Sequence, residues 1–177
     1  NVDRIDLMVG LVSEEPPPIV STAGRYRLNT DAGVTVDIEA FDSAARDGDQ
    51  RSGAGDRAGA RASYLGAVAL YAGDLGFGTD IGALVERERL RSRFLIVLSR
   101  LADVHFEADE FDLALGYALD VLGHDPCRED AHRMAMRCFV RLGTRSQAFR
   151  QYHTCREALA IEFAAVPELA TERLYEQ

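Results

Sequence analysis

Apolar residues return at helical spacing along most of the chain from Arg61 onward, which gathers them on one stripe of a helix. This pattern predicts helices over Ala62–Tyr71, about Ile81–Glu107, Glu110–Gly123, Arg128–Leu142 and Ser146–Phe163, with a short last one at Glu168–Tyr175. Breaks fall at Gly73–Gly78, at Ala108-Asp109 and at His124-Asp125-Pro126. Before Arg61 the pattern is mixed. Residues 3–13 read as a short helix with Ile5, Met8, Val9 and Val12 on one side. Glu14-Glu15-Pro16-Pro17-Pro18 ends it, because proline lacks a donor and forces an extended approach. Ile19–Thr22 and Arg25–Leu28, joined through Ala23-Gly24, predict a β-hairpin. A helix follows to about Arg46, with Asp37 or Thr35 as its N-cap. The stretch 47–60 is rich in Gly, Asp and Ser, has no apolar period, and reads as a flexible loop.

The helical part repeats itself with an offset of 34 residues. Leu101 then aligns with Ala135, His105 with Phe139, Asp109 with Gly143, Ala114 with Ala148 and Ala118 with Tyr152. That offset is the period of the tetratricopeptide repeat, a helix-turn-helix unit stacked on its neighbours. The small residues Ala114 and Ala148 stand where the second helix of each unit approaches the first. Pro126 stands at the inter-repeat position. Two units seldom suffice for a stable stack, so the helices of 37–72 are expected to supply a degenerate first one. An ordinary helical bundle is the competing fold.

In such a stack the first helices of the units line the concave face. That face is expected to carry Ser99, Asp103, Phe106 and Glu107, followed by Arg133, Arg137 and Arg141. The three arginines are four residues apart and form one stripe. Such a stripe suits an acidic or phosphate-bearing partner. The alternative is a solvated face with internal pairs to Glu129 and Asp103.

Composition narrows the partners. The net charge is −9, with 29 acidic residues against 20 basic ones, every one of the latter arginine. Residues 1–60 hold 11 acidic and 6 basic side chains, and the remainder 18 and 14. Neither part is basic overall, whereas phosphate neutralisation dominates DNA affinity. Any DNA contact must come from a few placed arginines or from outside this chain. No apolar run approaches the ~18–20 residues that cross a bilayer, and the start does not read as a secretory signal. A soluble, cytoplasmic protein is expected. Cys127, Cys138 and Cys155 lack metal-finger spacing and read as buried, reduced thiols.

Little points to chemistry. The glycines of Gly73–Gly78 neither follow a strand nor precede Gly-Lys-Ser/Thr, so they make a turn and not a phosphate loop. Cys127 with His132, or His153 with Cys155, yields no four-ligand set. His105 reads as a core residue. No Ser-His-Asp or activated Cys-His arrangement emerges. Neither an enzyme nor a cofactor or metal site is expected.

Several strings carry a resemblance. Leu70-Tyr71-Ala72-Gly73-Asp74-Leu75, Val85-Glu86-Arg87-Glu88-Arg89-Leu90, Asp125-Pro126-Cys127-Arg128-Glu129-Asp130-Ala131-His132-Arg133 and Leu174-Tyr175-Glu176-Gln177 resemble the bacterial transcriptional activator domain. That domain is the tetratricopeptide-like half of the SARP-family antibiotic-regulatory activators. The likeness covers about residues 34–177, with Leu84 standing where relatives commonly carry tryptophan. Residues 2–31 are similar to the end of the preceding winged helix, in which Val2–Val12 would belong to the recognition helix and Ile19–Leu28 to the wing.

The resemblance implies a mostly α fold, with a tetratricopeptide-like domain at 34–177 preceded at 1–31 by a partial winged-helix β-hairpin. It implies a transcriptional regulator whose partners are promoter DNA, RNA polymerase or a signal protein, and a second copy of itself. Arg4 on the presumed recognition helix, and Ser21, Thr22, Arg25 and Arg27 on the wing, are the candidate DNA contacts. The recognition helix is unusually acidic, carrying Asp3 and Asp6. A scaffold or sensor that has lost DNA affinity is therefore the second expectation.

Overall fold

The computed structural model describes residues 19–22, 25–28, 37–73 and 81–177, the first two stretches by their backbone alone. The chain divides into two units, residues 1–36 and 37–177. In the first, β1 (Ile19–Thr22) pairs antiparallel with β2 (Arg25–Leu28), Ile19 opposite Leu28 and Thr22 opposite Arg25. A two-stranded ribbon occurs in many folds, so it does not by itself make a winged helix. The helix expected at 3–13, Arg4 within it, and the turn at Ala23-Gly24 lie outside the described residues, as do Thr35 and most of Gly73–Gly78.

The described part of the second unit is wholly helical: α1 (Asp37–Gly53), α2 (Arg57–Leu70), α3 (Ile81–Glu107), α4 (Phe111–His124), α5 (Glu129–Arg141), α6 (Arg145–Phe163) and α7 (Leu169–Glu176). They form three hairpins, α1 with α2, α3 with α4 and α5 with α6. Further contacts join α2 to α3, α4 to α5, and α7 to both α5 and α6.

One turn is used three times. The N–H groups of Ala54, Gly55 and Asp56 donate to the carbonyls of Gln50, Ser52 and Arg51. Those of Ala108, Asp109 and Glu110 donate to Val104, Phe106 and His105, and those of Leu142, Gly143 and Thr144 to Cys138, Val140 and Phe139. The middle residue is left-handed each time, with φ of 80° at Gly55, 59° at Asp109 and 75° at Gly143. This is the usual way to satisfy the last carbonyls of a helix while reversing the chain. The third residue begins the next helix, and the Asp56 carboxylate caps α2 by accepting the Gly59 N–H at 2.9 Å.

Packing repeats in step with the turn. Five residues beyond each left-handed residue stand Ala60, Ala114 and Ala148, exposed by 0, 0 and 4%. Nine beyond stand Tyr64, Ala118 and Tyr152, all buried. Seven before stand Gly48, Ala102 and Met136, also buried. The alanines let neighbouring helix backbones close up, as tight interior packing requires. The second and third hairpins keep the 34-residue offset. The first lies further away chiefly because α3 runs 27 residues, against 13 for α5, and also because the segment before α3 is longer than the one before α5.

The expectation of a flexible loop at 47–60 is wrong. α1 continues to Gly53, and α2 starts at Arg57. The polar residues that suggested a loop face α2: Ser63 Oγ donates to Asp47 at 2.5 Å, and Tyr64 Oη donates to Asp49 at 2.9 Å. Burial and the neighbouring Asp49 push the Tyr64 hydroxyl up to about 12. Gly48 lies against the Tyr64 ring, where a Cβ would collide with ring carbons. These small and polar residues are how this pair of helices packs.

The interior runs through all three hairpins. Phe41, Tyr64, Leu90, Phe94, Leu101 and Val121 join the first four helices. Ala102, Ala114, Met134 and Cys138 carry the core into α5, and Met136, Ala148 and Tyr152 into α6. Tyr175 of α7 stacks on Tyr152 with ring centroids 3.9 Å apart, closing that end.

Candidate functional site

The string Asp125–Arg133 works as a clasp. Asp125 Oδ1 accepts the Cys127 N–H at 3.1 Å, fixing the turn before α5. His132 Nε2 donates back to the Pro126 carbonyl at 2.9 Å, while its Nδ1 accepts from Gln151 of α6 at 2.7 Å. That arrangement needs a neutral imidazole with its proton on Nε2. Burial pushes the ring below the ordinary histidine range, in agreement. Arg128 pairs with Asp130 at 2.7 Å.

α7 has no side-chain cap of its own; Glu129 supplies one from α5. Its carboxylate accepts the Glu168 N–H at 2.9 Å and the Thr171 hydroxyl at 2.6 Å. An anion at a helix N-terminus meets unsatisfied N–H groups and the positive end of the dipole. Arg133 completes the joint, donating to Thr171 Oγ1 at 2.9 Å and pairing with Glu168 at 3.2 Å.

Six of the seven residues expected on the concave face divide between two cavities that share Arg137. Ser99, Asp103, Arg133 and Arg137 line a polar one of about 170 Å³, together with Asp130 and Met134. Burial raises the Asp103 carboxyl above its usual range, opposed chiefly by Arg100. Phe106, Arg137 and Arg141 line an apolar one of about 260 Å³ with Met136, Val140 and Phe149. Glu107 joins neither cavity and pairs with Arg57 at 3.0 Å.

The arginine stripe is thus three different residues. Arg133 is held in the clasp. Arg141 pairs with Asp109 at 2.8 Å and lies over the Phe111 ring at 4.3 Å. Arg137 is exposed and has no ion-pair partner within 4 Å among the described residues, although its charge acts on Asp103. Sequence reasoning missed Arg145, Phe149, Leu174 and Tyr175, which come from beyond the α5–α6 turn and from α7. The signal available was Arg145 itself, one further step of four in the 133, 137, 141 series.

His105 is buried, as its place opposite Phe139 implied. It contacts Glu110 through Nδ1 at 2.5 Å and stacks on Tyr117. This hydrogen bond, helped by Arg61 at 3.2 Å, holds the Glu110 carboxyl below its usual range. Cys138 and Cys155 are buried, and burial pushes their thiols up to about 11 and 12; both stay protonated and poorly nucleophilic at neutral pH. Cys127 differs from the expectation, being half-buried in the turn before α5. Among the described residues no group of three potential metal ligands assembles. No described helix is long and apolar enough to cross a membrane.

A model of the bacterial transcriptional activator domain matches residues 36–177. Among solved structures, the C-terminal tetratricopeptide-repeat domain of a putative FK506-binding protein from Plasmodium falciparum superposes with a TM-score of 0.59 at 16% identity, covering 80% of this chain and 89% of that one. At that identity the likeness concerns the fold alone, which is helical and tetratricopeptide-like. No curated protein matches the sequence.

Proposed function

The chain belongs to the bacterial transcriptional activator domain family, and from that membership we propose that it is the partner-binding half of a cytoplasmic transcriptional regulator. Residues 37–177 act without catalysis, holding a protein partner such as RNA polymerase, a signal protein or a second copy. Residues 1–31 belong to the winged helix that reads the promoter, with Arg4, Ser21, Thr22, Arg25 and Arg27 as its DNA contacts. The observation that carries the reading is the family match over the whole helical unit, supported by a repeat architecture that presents continuous faces to partners.

A mobility-shift titration of the full-length regulator on the DNA upstream of its own gene, at two salt concentrations, tests the DNA-reading half. Sequence-selective retardation that weakens with salt is expected. The second reading, a scaffold without DNA affinity, is favoured by the excess of acidic over basic side chains in residues 1–60. It predicts no retardation even at low salt.

A further inference from the structure

The apolar cavity between α3, α5, α6 and α7 combines two properties that seldom meet on so acidic a chain. Its walls are Phe106, Met136, Val140, Ala148, Phe149 and Leu174, and its charged lining residues are all arginine: Arg137, Arg141 and Arg145. Among the described residues no carboxylate side chain lines it, although acidic residues outnumber basic ones 29 to 20 in the chain. Two of the three guanidinium groups have no acidic side-chain partner among the described residues. Among the described residues Arg137 makes no ion pair within 4 Å, and Arg145 meets the backbone oxygen of Gln177 at 3.5 Å and the face of Phe149. Val140 is 55% exposed and Phe149 39%, so apolar surface stands open beside exposed guanidinium groups.

We propose that this cavity docks a short acidic segment of a partner protein, which inserts one or two large apolar side chains while flanking carboxylates pair with Arg137 and Arg145. The proposal deepens the reading of residues 37–177 as a partner-binding unit and rests on it. Size favours a side-chain anchor over a whole small molecule, since ligand pockets usually span about 300–1,000 Å³ and this one is about 260 Å³. The apolar walls favour an occupant with a large apolar side chain to bury, which a free phosphate lacks. Guanidinium groups at the mouth form paired hydrogen bonds with carboxylates, and an apolar anchor in a desolvated pocket carries most of the affinity in such contacts.

The test uses the whole chain and a fluorescein-labelled nonapeptide of glutamates around a central Leu-Phe pair, followed by fluorescence anisotropy at about 0.1 M salt. Saturable binding is expected, with a dissociation constant on the order of 10–100 µM. Replacing the central pair with alanines, or introducing Arg137→Glu with Arg145→Glu, weakens it at least about tenfold. Circular dichroism and a urea midpoint confirm that the variant is folded, and Arg137→Ala with Arg145→Ala serves as the gentler control. Equal binding of a lysine-for-glutamate peptide overturns the proposal, as does binding unaltered by either change, or none at millimolar peptide. Concentration-dependent self-association abolished by the same variant would place a second copy in the cavity and overturn it as well. Failure here leaves the promoter titration untouched, and failure there leaves peptide capture untouched, so the two ideas fall separately.

Discussion

The clasp at residues 125–133 and the cavity a turn further along α5 share one helix and one run of arginines, yet they are built oppositely. In the clasp the polar groups of Asp125, Arg128, Glu129, Asp130, His132 and Arg133 are engaged within the protein. In the cavity Arg137 and Arg145 have no side-chain carboxylate partner among the described residues. The clasp contains the most distinctive string of the chain, and its geometry accounts for that string as structure: it joins the α4–α5 turn, α5, α6 and α7. A recognisable motif here marks a joint, while the proposed partner-facing chemistry sits among less distinctive residues.

Breaking the clasp should produce the largest effects. Glu129→Ala leaves the start of α7 uncapped and removes one of the two carboxylates beside Arg133, Glu168 being the other. A loss of about 2–3 kcal/mol is expected from urea unfolding, with faster amide exchange in α7 than in α4. An unchanged α7 would mean that Glu129 is dispensable to the joint.

Between the two regions in size stands the repeat packing itself. Ala114→Leu forces a larger side chain between helices that meet at a fully buried alanine, costing roughly 2 kcal/mol. Ala148→Leu should cost a similar amount, because both occupy the same place in their units. A neutral result at either position would deny their equivalence. Gly143→Ala, at a left-handed turn position with open space around it, should cost about 1 kcal/mol from backbone strain alone.

The smallest effect is one of pH. Buried His132 has its folded value below the ordinary one, so the unfolded chain takes up the extra proton first. Its contribution to stability is complete above about pH 6.5 and is lost as pH falls below it. The urea midpoint should therefore drop between about pH 7.5 and 5.5, and by less in His132→Asn. An identical drop in the variant would remove His132 as the source.

Much of this was legible from apolar spacing and repetition. The bounds of α3 agree with the expected Ile81–Glu107. Ala114 and Ala148 share an environment, as do Leu101 and Ala135, both fully buried. What could not be read was the first hairpin, because its packing uses no apolar period there. Gly48 makes room for a tyrosine ring, Asp47 and Asp49 accept from hydroxyls, and Gly55-Asp56 is the same turn-and-cap pair found at Asp109-Glu110. In a single sequence those residues look like any loop. The division of the arginine stripe was equally hidden, since even spacing along α5 says nothing about α7, whose start holds Arg133. The hairpin of β1 and β2 forms as the β-branched and aromatic pattern suggested. Its part in DNA recognition rests on the resemblance of residues 2–31.

The sharpest test replaces arginine by alanine on both sides of the divide and measures unfolding in urea. Arg133→Ala should lower the unfolding free energy by about 1.5–3 kcal/mol, whereas Arg137→Ala with Arg145→Ala should stay within about 0.5 kcal/mol of the native chain. Equal losses from the two would contradict a division between an internal clasp and a face left free for partners.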